Sequence, residues 1–93
     1  MSILQQIAIK IIREQELIIG PLAWIEAQKV SNLKVLNKDR GEVDLGSDEP
    51  STIDKLVYQY ERLFGRVSVE VCKDAAANLI GSLAPMDIPV SLR

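Results

Sequence analysis

A glycine–proline pair interrupts the most apolar part of the chain. Residues Glu16–Trp24 read ELIIGPLAW, and the segment before them, SILQQIAIKIIREQ, is nearly as rich in isoleucine. Ile3, Leu4, Ile7, Ala8, Ile11, Ile12, Ile18 and Ile19 recur at helical spacing, and Ser2 is a suitable cap, so the pattern predicts a helix over about 2–19. Pro21 lacks an N–H and clashes with the carbonyl four residues back, while Gly20 tolerates a left-handed cap. The pair therefore either breaks the helix or kinks one long helix. In the first case a second helix starts over about 21–31, with Leu22, Ile25 and Val30 turned inward.

The apolar residues of the first helix cover about half its circumference, more than a one-sided core stripe needs. Ile9 falls outside even that arc, among Gln5, Arg13 and Glu16. A chain of 93 residues makes one domain with a small core. Its apolar fraction is 47 % with only four aromatic residues, so Ile, Leu, Val and Ala must fill that core. Small size and excess apolar surface together predict a homodimer or larger assembly.

Residues 31–50 are the least regular. KVL and EVDL flank KDRG, which suits a hairpin turn, so this part forms either a short β-hairpin over about 34–45 or an irregular acidic loop. Beyond it, Ser51-Thr52-Ile53-Asp54 resembles a capping box. Ile53, Leu56, Val57, Tyr60, Leu63 and Phe64 then follow at helical spacing up to Gly65, which predicts a helix over 51–64. Val69, Cys72, Ala76, Leu79 and Leu83 predict another over about 68–81, with Ser68 as its cap. In the tail, Met86, Ile88, Val90 and Leu92 alternate with Asp87, Pro89, Ser91 and Arg93. That pattern predicts an extended arm over 84–93 with one sticky face. No internal repeat is apparent. The fold class is thus a mainly α, four-helix single domain over 1–93.

Composition excludes several chemistries. There is no histidine, so Ser-His and Cys-His pairs are absent, and with one cysteine a classical zinc site lacks ligands. The acidic stretch NKDRGEVDLGSDE fails as a calcium loop, because Glu42 stands where glycine is needed and Lys38 and Arg40 oppose a cation. The five glycines are dispersed and make no phosphate loop. Cys72 lies on an apolar stripe, as a structural cysteine does. No catalytic residue, metal ligand or cofactor is therefore expected.

The net charge of −2 is spread over mixed signs. The densest basic cluster, Lys34, Lys38 and Arg40, is interleaved with acids, which argues against nucleic acid. The apolar run Leu17–Ile25 is half the length a membrane span needs, and charges interrupt any leader-like N-terminal segment. With its unpaired cysteine, the chain is expected in the cytoplasm. The residues most suited to contact a partner are Ile9, Trp24, Tyr58, Met86, Ile88 and Val90.

Two segments carry a resemblance. IGPLA at Ile19–Ala23, with the later helix LVYQYERLF, resembles a helical module appended to bacterial regulatory proteins. The fuller pattern of ELIIGPLAW, YERLFGRVSVEVCKDA and a proline-containing end is more similar to small stand-alone bacterial proteins, cyanobacterial ones in particular, of uncharacterised function. The resemblance implies a cytosolic helical domain and no reaction. The leading expectation is a non-enzymatic protein–protein interaction or regulatory module. The alternatives are a small-molecule binder with an apolar pocket between helices, and a helix-turn-helix DNA binder.

Overall fold

A computed structural model describes residues 2–93. Its elements are α1 (Ile3–Ile19), α2 (Leu22–Gln28), β1 (Lys34–Asn37), β2 (Glu42–Asp44), α3 (Glu49–Phe64) and α4 (Arg66–Ile80), followed by 3-10 turns at Pro85–Asp87 and Val90–Leu92. The fold is mainly α, as the periodicity predicts, and the hairpin is present: β1 and β2 pair antiparallel, with Val35 opposite Val43.

α1 begins with a reciprocal cap. The Ser2 hydroxyl accepts from the Gln5 N–H at 3.0 Å, and the Gln5 side chain accepts from the Ser2 N–H at 2.7 Å. It ends at Gly20, whose φ of 68° and ψ of −151° turn the chain sharply, so the glycine–proline pair breaks the helix rather than kinking it. Gly65 does the same between α3 and α4, with φ 84° and ψ −172°.

Two expected caps shift. Asp48, not Ser51, caps α3, because its carboxylate accepts from the Ser51 N–H and Pro50 suits the first turn. α4 begins two residues before Ser68, directly after Gly65, because the glycine turn alone reverses the chain.

The described chain is built from two like halves, a repeat that the sequence hides. Adding 45 to a residue number in the α1–Gly20–α2 unit gives its counterpart in the α3–Gly65–α4 unit. Ile7, Ala8, Ile11, Ile12, Gln15, Ala23, Trp24 and Ala27 are buried, and so are their counterparts Thr52, Ile53, Leu56, Val57, Tyr60, Ser68, Val69 and Cys72. One pair of hydrogen bonds between the halves is reciprocal. Gln15 Nε2 donates to the Ser68 carbonyl at 3.2 Å, and its counterpart Tyr60 donates its hydroxyl to the Ala23 carbonyl at 2.7 Å. Reciprocity of this kind is the signature of a two-fold arrangement. Here it relates two halves of one chain: α1 packs along α4, while the short α2 touches α3 much less extensively.

The segment following each unit folds back onto that unit's first helix. After α2 comes the hairpin, whose Gly41 backbone lies on Ile9: a Cβ there would stand 3.2 Å from Ile9 Cγ2. After α4 comes the C-terminal segment. Asp54, the counterpart of Ile9, accepts from the Ser91 N–H at 2.9 Å and from its hydroxyl at 2.6 Å. The extended arm expected over 84–93 is therefore replaced by two turns. Proline fixes φ at Pro85 and Pro89, Asp54 captures Ser91, and Leu92 is buried.

α2 also differs from its expected facing. Ala23, Trp24, Glu26 and Ala27 are buried, whereas Leu22 and Ile25 are exposed. Small alanines let α2 lie close to α1 and bring the Ala23 carbonyl within reach of Tyr60.

Candidate interaction surface

The antiparallel packing of α1 on α4 places the C-terminal end of α1 beside the N-terminal end of α4. Gln15 reaches both the Ser68 carbonyl and, at 3.6 Å, the Cys72 sulfur. α3 and α4 meet at Gly65, and Tyr60 ties α3 to the start of α2. Both glycine turns consequently lie at one pole of the molecule. Around them Leu17, Ile18, Leu22, Leu63, Phe64 and Val67 are exposed, Leu17 at 81 %, Val67 at 74 % and Ile18 at 63 %. Ile18 also borders a polar groove between α1 and α4 that includes Val71, one turn along from Val67, so the two helices' apolar ends adjoin.

Charges of both signs rim this pole. Glu16, Glu61, Arg62 and Arg66 lie on the last turns of α1 and α3 and the first of α4, and Arg66 approaches Glu61 at 3.9 Å. Exposed pairs of this kind contribute little to stability, about 0–1 kcal/mol.

Of the residues singled out from the sequence, Ile9 and Trp24 are not on the surface. The hairpin covers Ile9, and Trp24 lies in the core with Lys38 Nζ 5.8 Å from its ring centroid. The Trp24 Nε1–H is buried without an acceptor. Tyr58 and Val90 are exposed and come together, lining a groove of about 470 Å³ between α3, α4 and the C-terminal turn. Met86 is exposed elsewhere, and Ile88 is half-buried. The apolar, charge-rimmed pole itself is not legible as a site in the sequence: its signal there is the recurrence of Glu-x-x-x-Gly at 16–20 and 61–65.

The buried polar groups between the halves are held in neutral or paired form. Burial raises the Tyr60 phenol well above its usual range, and Cys72 and Glu26 add to the effect. Burial pushes the Cys72 thiol up to about 11, opposed by its contact with Gln15. Hydrogen bonds from Lys29 at 2.9 Å and Gln59 at 2.8 Å hold the Glu26 carboxyl below its ordinary range. Neither the phenol nor the thiol is ionised at neutral pH, so neither is a ready nucleophile.

A thiol in this setting should be inert until the domain opens. We expect a thiol–disulfide reagent to leave Cys72 unmodified at pH 8 in native protein and to react promptly in denaturant; fast native labelling would contradict the burial. The proton that the fold retains on Cys72 also sets a sign. Below about 9 its contribution to stability is fully present, and it is lost as pH rises towards about 11.

Among the described residues, no three His, Cys, Asp or Glu side chains converge as a metal site, and no helix is long and apolar enough to cross a membrane. Comparison with protein-family models, with curated proteins and with solved structures returned no match.

Proposed function

We propose that the protein is a non-enzymatic interaction or regulatory module that acts as a homo-oligomer. The observation carrying this reading is the pole of six exposed apolar side chains at the two glycine turns. A contiguous patch of that kind is at the upper end of what a monomer exposes and is typical of interaction sites. Sedimentation equilibrium tests the reading: the mass should rise above the 10.3 kDa of one chain as concentration increases to the high micromolar range. A mass fixed at one chain throughout would sink it.

A second reading, small-molecule binding, is favoured by the groove at Tyr58. Val57 and Val69 supply its apolar part, while Asp54, Glu61, Arg66 and Lys73 make its rim polar. A thermal-shift screen against metabolites separates this reading from the first. The helix-turn-helix alternative gains no support. Gly65 alone joins α3 to α4, where that motif uses three or four residues, and α4 exposes Glu70 and Asp74.

A further inference from the structure

We infer that the pole bearing Gly20 and Gly65 is the docking surface for a second copy of this chain, the two copies meeting pole to pole about a two-fold axis. This inference rests on the self-association proposed above and names the surface that performs it.

The two halves of the chain offer an internal comparison. Solvent-facing positions far from the turns carry polar groups in at least one half: Lys10 and Lys55, Arg13 and Tyr58, Ile25 and Glu70. At the turns Leu17 and Pro21 are still matched by arginines, Arg62 and Arg66, but three pairs break the rule. Ile18 and Leu63, Ile19 and Phe64, and Leu22 and Val67 are counterpart pairs, and every member is apolar. Five of the six are exposed, and Ile19 is half-buried. Two units that differ at most other positions thus both keep large apolar side chains in water at two of these places, and apolar ones at the third.

Area favours a second copy. A whole side chain of this size presents ~200 Å². At their observed exposures, Leu17, Ile18, Leu22, Leu63, Phe64 and Val67 leave on the order of 600 Å² per copy uncovered. Two such patches face to face cover on the order of 1,200 Å², within the range of specific dimers.

Shape and charge agree with that occupant. An isologous contact needs a surface complementary to itself, and an apolar patch meets that need. The rim mixes signs, so Arg62 and Arg66 can face Glu16 and Glu61 across the contact. The groove bordered by Ile18 is lined chiefly by Lys10, Glu14, Asp74 and Asn78, a poor match for the apolar face of a peptide helix.

The test uses the full chain in four forms: unaltered, Leu22→Glu, Val67→Glu and Met86→Glu. Met86 is the control, apolar and 82 % exposed but away from the pole. Sedimentation equilibrium should show a dimer for the unaltered chain and for Met86→Glu. The two pole variants should each weaken it by roughly 30-fold or more, and to a similar extent, because their positions are counterparts. Circular dichroism checks that each variant folds; where glutamate unfolds the protein, serine at the same position replaces it.

A dimer that survives both pole substitutions overturns this inference and leaves self-association standing. A dimer lost only in Met86→Glu moves the contact to the C-terminal segment and overturns it too. An unaltered chain that stays monomeric removes the self-association reading itself, and the inference with it.

Discussion

Alanine at Ile11 should destabilise the protein by about 2–5 kcal/mol, and alanine at Leu56 by a similar amount. Both side chains are fully buried, one at the centre of α1 and the other at its counterpart in α3. Each loses the transfer free energy of three carbons, and each leaves a cavity that close-packed neighbours fill only in part. A domain of this length holds roughly 5–14 kcal/mol in all. Either substitution should therefore remove a large share of its stability. Urea unfolding followed by circular dichroism measures this as a lowered midpoint at unchanged slope. The pairing is the informative part. If the halves are equivalent in packing, the two costs should agree within about 1 kcal/mol. A Leu56 variant as stable as the parent would show that the second half shares the first half's burial pattern but not its packing. Alanine at the exposed counterparts Lys10 and Lys55 should change stability by no more than about 0.5 kcal/mol.

Much of the helical framework is legible because apolar spacing and glycine punctuation act locally. Ser2, Gly20, Gly65 and the stripe from Ile53 to Tyr60 mark their elements in the sequence and take those roles in the structure. The errors lie where a distant contact decides. Alternation at 86–92 reads as an extended arm until Asp54, more than thirty residues earlier, captures Ser91. Ile9 and Trp24 read as contact residues because the segment that covers the first, and the lysine that lies over the second, belong to a hairpin whose existence the sequence leaves open. α2 has only seven residues, too few for periodicity to fix its facing, and backbone proximity to Tyr60 settles the matter.

The repeat itself is hidden by chemistry rather than geometry. Between residues 7–28 and their counterparts, only Lys10 and Lys55, Glu16 and Glu61, and Gly20 and Gly65 are identical. Elsewhere a buried isoleucine is matched by threonine, aspartate, leucine or valine, and the cross-half donor is glutamine once and tyrosine once. What the halves share is where each position sits. Composition-based reading has little access to that, and the candidate surface depends on it, because the exposed apolar pairs stand out only when the two turns are aligned.

The glycine turns supply the second large effect. Gly20 and Gly65 both combine a positive φ with a strongly extended ψ, a region that only glycine occupies without strain. L-Alanine at either site should cost about 1–3 kcal/mol. That cost is purely conformational, because a Cβ at either position meets nothing within 4 Å. D-Alanine, whose preferred angles are the mirror image, should therefore be tolerated. By restricting the unfolded chain it should even add about 0.4–1 kcal/mol. Chemical synthesis of the chain with each enantiomer at position 65, followed by thermal unfolding, separates handedness from bulk. Equal destabilisation by both enantiomers would mean that the turn's cost arises from something other than φ. The same pair of variants bears on assembly. Strain relieved by rotating the turn moves Val67 relative to Phe64, so the L-form should also weaken self-association, while the D-form keeps the corner and with it the apolar surface.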